Sequence, residues 1–316
     1  MKGARITITG GSGFVGQLLR TGLRERGYEV TVFDRYRGAV VDLLRSRTLP
    51  GRLAGRPAFI SGPRVRRLQH ELESRMLAGG LLRPSGDDIS DARGVLAGRF
   101  RGSAAVIHLA GIPHPLQPGA TEADFVRLNY DAAVNVFEAA RDANVPVFVF
   151  ASSAQVYKIN DPVRLDHLPI LESNHLPLPA EGQSVYGFLK AAVERYLAGA
   201  CQTGSTQAIS LRLECPGFLS PGASNQYIST SVENLVNGFT CALSPPADLG
   251  ADVFNLADAD VSPEIVDVAA YARARWPYVP FEVRGNGCLL STEKAQRMLG
   301  YRPRPGGRYI PAEVVW

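Results

Sequence analysis

Short runs of apolar and β-branched residues alternate with longer amphipathic segments along the first two thirds of the chain. RITITG, EVTVFD, AAVIHLAG and VPVFVFASS have the length and composition of strands, whereas FVGQLLRTGLRERG and EADFVRLNYDAAVNVFEAARDAN repeat apolar residues at helical spacing. Residues 147–151 are apolar without alternation, which is typical of a strand buried on both faces. The pattern predicts βαβ units, and therefore an α/β fold in which helices cover both faces of a doubly wound parallel sheet.

The helix predicted at about residues 122–143 carries its own start signal. Thr121 and Asp124 have the spacing of a capping box, in which each residue satisfies a backbone N–H of the other. The apolar stripe of this helix consists of Phe125, Leu128, Ala132 and Val136. Asn129 lies close to that stripe, and a buried amide needs hydrogen-bond partners. Asn129 is therefore either a structural clamp between strand ends or part of a site.

The chain is expected to divide at about residue 213. Residues 1–213 hold the strand and helix alternation, with a long insertion at about residues 37–85. Within the insertion RVRRLQHELESRMLAG has helical spacing, so we expect a helix that packs on the body or on a second subunit. After residue 213 glycine and proline are more frequent, which predicts a smaller substrate-binding region at residues 214–316.

Composition narrows the class of protein. With 316 residues, 45% of them hydrophobic and 20% charged, the chain can bury a large core. The formal charge of +4 is too small to indicate nucleic-acid binding. The sequence has no apolar run that would span a membrane and no signal peptide, so we expect a cytoplasmic protein without a membrane partner. The four cysteines lie far apart without matching histidines, which argues against a metal site or a disulfide framework.

A local basic field stands out against this nearly balanced charge. Residues 35–67 hold nine arginines and one acid, Asp42. Such a field favours a small anionic substrate.

The segment ITITGGSGFVG places Gly10, Gly13 and Gly16 between a predicted strand and a predicted helix. Glycines at such a turn permit a tight bend and let the backbone approach a pyrophosphate at the helix N-terminus. The next strand ends in Asp34, about twenty residues on, where a carboxylate can bind the ribose hydroxyls of a dinucleotide. The segment therefore predicts a dinucleotide site.

Two further segments carry groups suited to hydride chemistry. A buried strand ends in Ser152 and Ser153, and Tyr186 precedes Lys190 by one helical turn. A serine hydroxyl can hold the reacting oxygen, and a phenol can move its proton. A free tyrosine titrates near 10, so we expect the Lys190 ammonium to lower the pKa of Tyr186.

Taken together, these motifs resemble the extended short-chain dehydrogenase/reductases, the NAD-dependent epimerase/dehydratase family. The likeness rests on the glycine turn with Thr9, on Asp34, on Asp88-Ile89 and HLAG at 108–111, on Asn129, and on Ser153 with the Tyr186/Lys190 pair. It covers most of the chain outside the insertion. The resemblance implies a Rossmann-like domain, a homodimer, and an NAD-dependent enzyme in which Tyr186 is the acid/base, Lys190 assists it and grips the nicotinamide ribose, and Ser153 binds the reacting oxygen.

The resemblance also implies the ligand contacts. The implied cofactor-binding residues are Gly10, Gly13, Phe14, Val15, Gly16, Asp34, Arg35, Asp88, Ile89, Leu109, Ala110, Gly111, Asn129, Ser152, Tyr186 and Lys190. The implied substrate-binding residues are Gln155, Arg212 and Arg284, and no metal is implied. Asp34 favours NAD over NADP because its carboxylate repels a 2′-phosphate, although Arg35 and Arg37 could bind one.

Several positions depart from the family pattern. Ala154 and Gln155 stand where family dehydratases carry an acidic pair, which weakens the case for sugar dehydration. The segment LRLECPGFLSPG offers Gly217, Ser220 and Pro221 but lacks the asparagine usual in sugar-nucleotide enzymes. LAGIP, FASS and LGYRPRP are instead similar to compact uronate dehydrogenases.

Three functions remain open. The first is an epimerase that oxidises and re-reduces a hydroxyl of a sugar nucleotide with NAD. The second is a net dehydrogenase or ketoreductase of a small sugar acid or natural-product intermediate. The third is a non-catalytic dinucleotide-binding protein, against which the Ser153, Tyr186 and Lys190 set argues.

Overall fold

A computed structural model describes residues 3–35, 85–113, 120–159, 164–203, 205–219, 227–261, 266–305 and 307–311. Apart from Ser85, the expected insertion at 37–85 lies outside the described residues, as do Arg37, Ser220 and Pro221.

Among the described residues, six parallel strands form the main sheet: β1 (Arg5–Thr9), β2 (Glu29–Phe33), β3 (Ala105–His108), β4 (Val147–Ser153), β5 (Gln207–Leu213) and β7 (Ala251–Leu256). Their order across the sheet is β2-β1-β3-β4-β5-β7. The short strands β6 (Phe218–Leu219) and β8 (Ile310–Pro311) pair separately. Strand order reverses between β1 and β3, so a crevice opens there at the carboxyl edge, where sheets of this type bind ligands.

The helices follow the predicted alternation with the strands. They are α1 (Phe14–Glu25), α2 (Arg93–Phe100), α3 (Glu122–Phe125), α4 (Ala132–Asp142), α5 (Val185–Ala200), α6 (Val232–Ala242), α7 (Val268–Arg275) and α8 (Glu293–Leu299). The predicted capping box is present, since the Thr121 hydroxyl accepts from Asp124 N at 3.2 Å and the Asp124 carboxylate accepts from Thr121 N at 3.1 Å. The helix expected at 122–143 differs in one respect, because a π-helical segment (Val126–Asp131) separates α3 from α4.

Apolar clusters cover both faces of the sheet. On one face Leu19 of α1 and Phe239 of α6 pack with the strand residues Ile8 and Leu211. On the other face, residues of α2, α4 and α5 pack with β3 and β4; these include Leu96, Phe137, Val193, Val106 and Phe148. The Rossmann-like doubly wound fold is therefore confirmed.

The segment after residue 213 contributes to two parts of the molecule. β7 completes the main sheet beside β5, and α6 packs against α1. Other residues of this segment, among them Tyr227 and Leu289, form a third apolar cluster with Tyr157 and Ile170 beyond the end of β4. The division at residue 213 stays a prediction.

Candidate active site

The glycine turn after β1 is held close to the end of β3. Gly10 has φ +72°, and a Cβ added there would lie 2.7 Å from the backbone nitrogen of Ala110. A Cβ at Gly16 would lie 2.5 Å from the carbonyl oxygen of Gly10. Helix α1 follows with Gly13 as its N-cap and without a side-chain capping bond. The N-terminus of a helix in this position is a favourable site for an anion.

A cavity of about 240 Å³ opens beside this turn. Its walls are Gly10, Phe33, Asp34, Arg35, Asp87, Asp88, Ile89, Ala110, Gly111, Ile112 and Leu128, which include seven of the expected cofactor residues. Asp34 accepts a hydrogen bond from Ser12 N at 3.0 Å, and Arg35 pairs with Asp88 at 2.9 Å.

The residues present fit a dinucleotide. The cavity has an acidic residue at the end of β2, and the crevice between β1 and β3 has a backbone surface that only glycine permits. The hydroxyl of Ser12 is buried and has no hydrogen-bond partner among the described residues. A phosphate oxygen is the kind of acceptor such a hydroxyl needs.

The predicted catalytic residues come together at the carboxyl end of β4. Ser153 ends that strand, and Tyr186 and Lys190 lie on α5, whose N-cap Ser184 accepts from Gly187 N at 3.1 Å. The Ser153 side chain is near enough to the Tyr186 hydroxyl to lower the pKa of the phenol. Lys190 Nζ donates to the carbonyl oxygen of Ala151 at 2.7 Å and lies 5.7 Å from the centroid of the Tyr186 ring.

Burial dominates the electrostatics of this group and corrects one expectation. Burial raises the pKa of Tyr186; the Ser153 side chain opposes this effect, and the charge of Glu214 adds to it. The expected lowering by Lys190 is therefore not found. Burial lowers the pKa of Lys190 to about 8, against the opposing effect of Glu194. The raised pKa keeps the hydroxyl of Tyr186 protonated in this environment.

Ser152 and Arg212 belong to a buried network behind the catalytic residues. The Ser152 hydroxyl donates to Glu194 at 2.6 Å, and Arg212 donates to both Glu194 oxygens at 2.9 and 2.7 Å. Arg212 also donates to the Tyr157 hydroxyl at 2.6 Å and is only 3% exposed. A buried guanidinium requires the carboxylate beside it, so these bonds stabilise the fold, and a substrate contact of Arg212 stays a prediction.

Asn129 connects the π-helical segment to the end of β3. Its side-chain oxygen accepts from Ile112 N at 2.7 Å, and its side-chain nitrogen donates to Ile112 O at 3.0 Å. A Cβ at Gly111 would lie 2.7 Å from the same side-chain oxygen. Both bonds are those of a structural clamp, and a cofactor contact of Asn129 stays a prediction.

Glu214, beside Gln155, is a residue of this region that the sequence motifs did not indicate. Gln155 N donates to the Ser153 hydroxyl at 3.1 Å, and Gln155 Nε2 lies 3.2 and 3.3 Å from the two carboxylate oxygens of Glu214. Glu214 directly follows β5, so its place after a strand was the available signal. Arg284 is exposed. It lies on a turn in which Gly287 N donates a hydrogen bond to Arg284 O at 3.1 Å.

None of the helices described is long and apolar enough to cross a membrane. The described residues also contain no cluster of three or more histidine, cysteine, aspartate or glutamate side chains that could bind a metal ion.

Comparison with known proteins identifies relatives over most of the chain. UDP-glucose 4-epimerase from Schizosaccharomyces pombe is 28% identical over 218 residues, which are 68% of this chain and 52% of that protein. A 3-beta-hydroxysteroid dehydrogenase from Mycolicibacterium neoaurum is 26% identical over 240 residues, 74% of this chain and 52% of that protein. The chain thus spans about half the length of these curated relatives.

Solved structures share the fold. UDP-glucose 4-epimerase from Bifidobacterium longum, solved with NAD+ and UDP, superposes with a TM-score of 0.62 at 18% identity and covers 95% of this chain and 94% of its own.

A family model matches about three quarters of the chain. The model described as the NAD dependent epimerase/dehydratase family matches residues 6–243, which include the glycine turn, Ser153, Tyr186 and Lys190. This match confirms the expectation of an NAD-dependent enzyme of the extended short-chain dehydrogenase/reductase type. The chain belongs to the NAD-dependent epimerase/dehydratase family.

Proposed function

We propose that this protein oxidises a hydroxyl of a sugar nucleotide and reduces the resulting ketone again, with inversion at that carbon. The observation that carries the proposal is that Ser153, Tyr186 and Lys190 come together at the carboxyl end of β4. The Ser153 side chain is near enough to Tyr186 to lower its pKa, and Lys190 Nζ lies 5.7 Å from the centroid of the Tyr186 ring. These groups lie at the carboxyl edge of the sheet, as does the glycine turn. NAD, when bound, supplies a hydride acceptor that can also return the hydride.

The role of each group follows from its chemistry. Ser153 would hold the reacting oxygen, because it ends β4 beside Tyr186. Tyr186 would take the proton from that oxygen and later return it to the ketone oxygen. A buried phenol is a poor base, so Tyr186 needs a nearby positive charge, and Lys190 with its pKa of about 8 still carries one at neutral pH.

The relatives favour a sugar nucleotide as substrate. The Schizosaccharomyces pombe relative is a UDP-glucose 4-epimerase, and the Bifidobacterium longum structure contains UDP. We propose Arg284 as a contact of the diphosphate, since it is exposed and charged. The arginines of residues 35–67 would add long-range attraction for the same anion.

Conversion between UDP-glucose and UDP-galactose tests the proposal. The purified protein is incubated with either sugar nucleotide and NAD, and the formation of NADH is followed by its absorbance. The products are then separated by chromatography. We expect epimer formation without net NADH. The matched control is Ser153→Ala, which keeps the fold and should lose about a hundredfold or more of the rate. NADH formed in proportion to sugar, without epimer, contradicts the proposal.

A net dehydrogenase is the second candidate. Cys215 occupies the turn where sugar-nucleotide enzymes usually have asparagine, and it adopts φ +44°. The Mycolicibacterium neoaurum relative is a dehydrogenase by name and matches 74% of this chain. Stoichiometric NADH from a free uronate or a hydroxysteroid in the same assay would favour this candidate.

The proposal includes a homodimer, as the family resemblance implies, and a cytoplasmic location, as the sequence predicts. Light scattering of the purified protein measures the mass directly, and a monomer across the micromolar range would contradict the homodimer. Fractionation of the source cells tests the location.

A further inference from the structure

Glu214 lies at the carboxyl edge of the sheet beside the catalytic serine. It directly follows β5, whose last residue Leu213 is the register partner of Ser153. The chain then turns sharply, because Cys215 has φ +44° and Gly217 has φ +81°. Glu214 is therefore the first side chain beyond the sheet on the strand next to Ser153, and it is only 8% exposed.

The Glu214 carboxylate is joined to the catalytic group through Gln155. Gln155 Nε2 lies 3.2 and 3.3 Å from the two carboxylate oxygens, and Gln155 N donates to the Ser153 hydroxyl at 3.1 Å. Gln155 is itself fixed, because Gln183 Nε2 donates to its carbonyl oxygen at 3.0 Å. Burial is the main cause of the raised pKa of Tyr186, and the charge of Glu214 raises it further, so the carboxylate acts electrostatically on the phenol.

We propose that Glu214 determines the charge selectivity of the substrate pocket. It accepts hydrogen bonds from hydroxyls of an uncharged sugar ring at the reacting end and excludes a ring that carries a carboxylate there. This inference rests on the proposed function, which places a sugar against Ser153 and Tyr186.

Two physical properties of a buried carboxylate support this role. An ionised carboxylate only accepts hydrogen bonds, and a sugar hydroxyl has a proton to give. A second carboxylate has no proton to give, and its charge would be repelled with little screening because Glu214 is only 8% exposed. One carboxylate is enough to reject a substrate by charge repulsion. The diphosphate of a sugar nucleotide would bind elsewhere and would not be repelled by Glu214.

The test compares uncharged and carboxylate sugars. Turnover is measured with UDP-glucose and UDP-glucuronate by epimer formation, and with free glucose and glucuronate by NADH formation. In each pair we expect the wild type to favour the uncharged sugar in kcat/KM. Glu214→Gln should lower that ratio about tenfold or more, equivalent to about 1.4 kcal/mol, through a gain with the carboxylate sugar.

Two control variants separate charge from folding. Glu214→Asp keeps the charge and should keep the preference. Asp258→Asn removes another buried carboxylate, whose partners are Ser231 and Asn234, and should leave the ratio unchanged. Melting temperatures of all variants show whether each is folded.

Each outcome decides one or both proposals. An unchanged ratio in Glu214→Gln, or a wild type that prefers the carboxylate sugar, overturns the role of Glu214. Turnover of free sugars alone overturns the sugar-nucleotide proposal, while the ratio from that pair still tests Glu214. No turnover with any of the four sugars contradicts both.

Discussion

The ammonium of Lys190 lies 2.7 Å from the carbonyl oxygen of Ala151 and 4.6 Å from the centroid of the Phe150 ring. Both partners belong to β4, so the strand that ends in Ser153 also holds the lysine. Glu194, one turn further along α5, opposes the lowering of the Lys190 pKa by burial. The charge of this lysine therefore depends on both the strand and the helix.

Replacing Lys190 with methionine removes that charge while keeping a long apolar side chain. We expect turnover to fall about a hundredfold or more, because Lys190 is the cation proposed to favour the phenolate of Tyr186 during proton transfer. NAD binding should also weaken if Lys190 grips the nicotinamide ribose. Steady-state kinetics and calorimetric titration with NAD measure the two effects separately, and an unchanged NAD affinity would limit Lys190 to proton transfer.

Tyr186→Phe removes the hydroxyl and little else. The ring stays buried, so NAD affinity and melting temperature should change little, whereas kcat should fall about a hundredfold or more. Tyr196→Phe is the matched control, since Tyr196 lies on the same helix and its hydroxyl donates to Glu138 at 3.0 Å, outside the site. Wild-type turnover in Tyr186→Phe would show that the phenol has no role in proton transfer.

The fold and the catalytic group could be predicted because their signals are local. The glycine turn, the strand ending in Ser153 and the spacing of Tyr186 and Lys190 are each complete within a short segment. The capping box at Thr121 is equally local and is confirmed.

The pairings that depend on strand register could not be predicted. Gln155 and Glu214 are 59 positions apart, and Arg212 reaches Glu194 only because β4 and β5 are adjacent and α5 packs across them. The spacing of Tyr186 and Lys190 alone predicts a lowered pKa for the tyrosine. Burial raises this pKa instead, and the burial of a side chain cannot be read from a sequence motif.

Preference for NAD over NADP follows from two fixed side chains. Asp34 is held by Ser12 N at the end of β2, and Arg35 is held by Asp88. We expect NAD to bind the wild type about tenfold or more tightly than NADP, because the Asp34 carboxylate repels a 2′-phosphate. Asp88→Asn should release Arg35 and narrow this difference.

Calorimetric titration of both dinucleotides tests the preference. Asp142→Asn is the matched control, because it breaks a similar exposed ion pair with Arg93 outside the cavity. Tighter binding of NADP than NAD by the wild type would contradict the assignment of Asp34. An unchanged ratio of NAD affinity to NADP affinity in Asp88→Asn would show that the ion pair with Asp88 does not restrain Arg35.

Asp258 gives the stability of the protein a defined dependence on pH. Burial raises the pKa of this carboxyl to about 6, although hydrogen bonds from Asn234 and Ser231 oppose the effect. The native state therefore binds a proton more tightly than the unfolded state, whose aspartate titrates near 3.8. Between these two values the free energy of unfolding falls as pH rises; the contribution is fully present below the lower value and is lost above about 6.

Asp258→Asn should abolish that dependence. The amide keeps an oxygen for the bonds from Ser231 N at 2.8 Å and Asn234 Nδ2 at 2.6 Å, but it has no charge to bury. We expect the variant to resemble the wild type at pH 4 and to be more stable at pH 7, by up to about 3 kcal/mol. Urea unfolding at several pH values measures the difference, with the exposed Asp142→Asn as control. Equal slopes of stability against pH in wild type and Asp258→Asn would mean that Asp258 titrates alike in the native and unfolded states, and hence that its hydrogen bonds offset its burial.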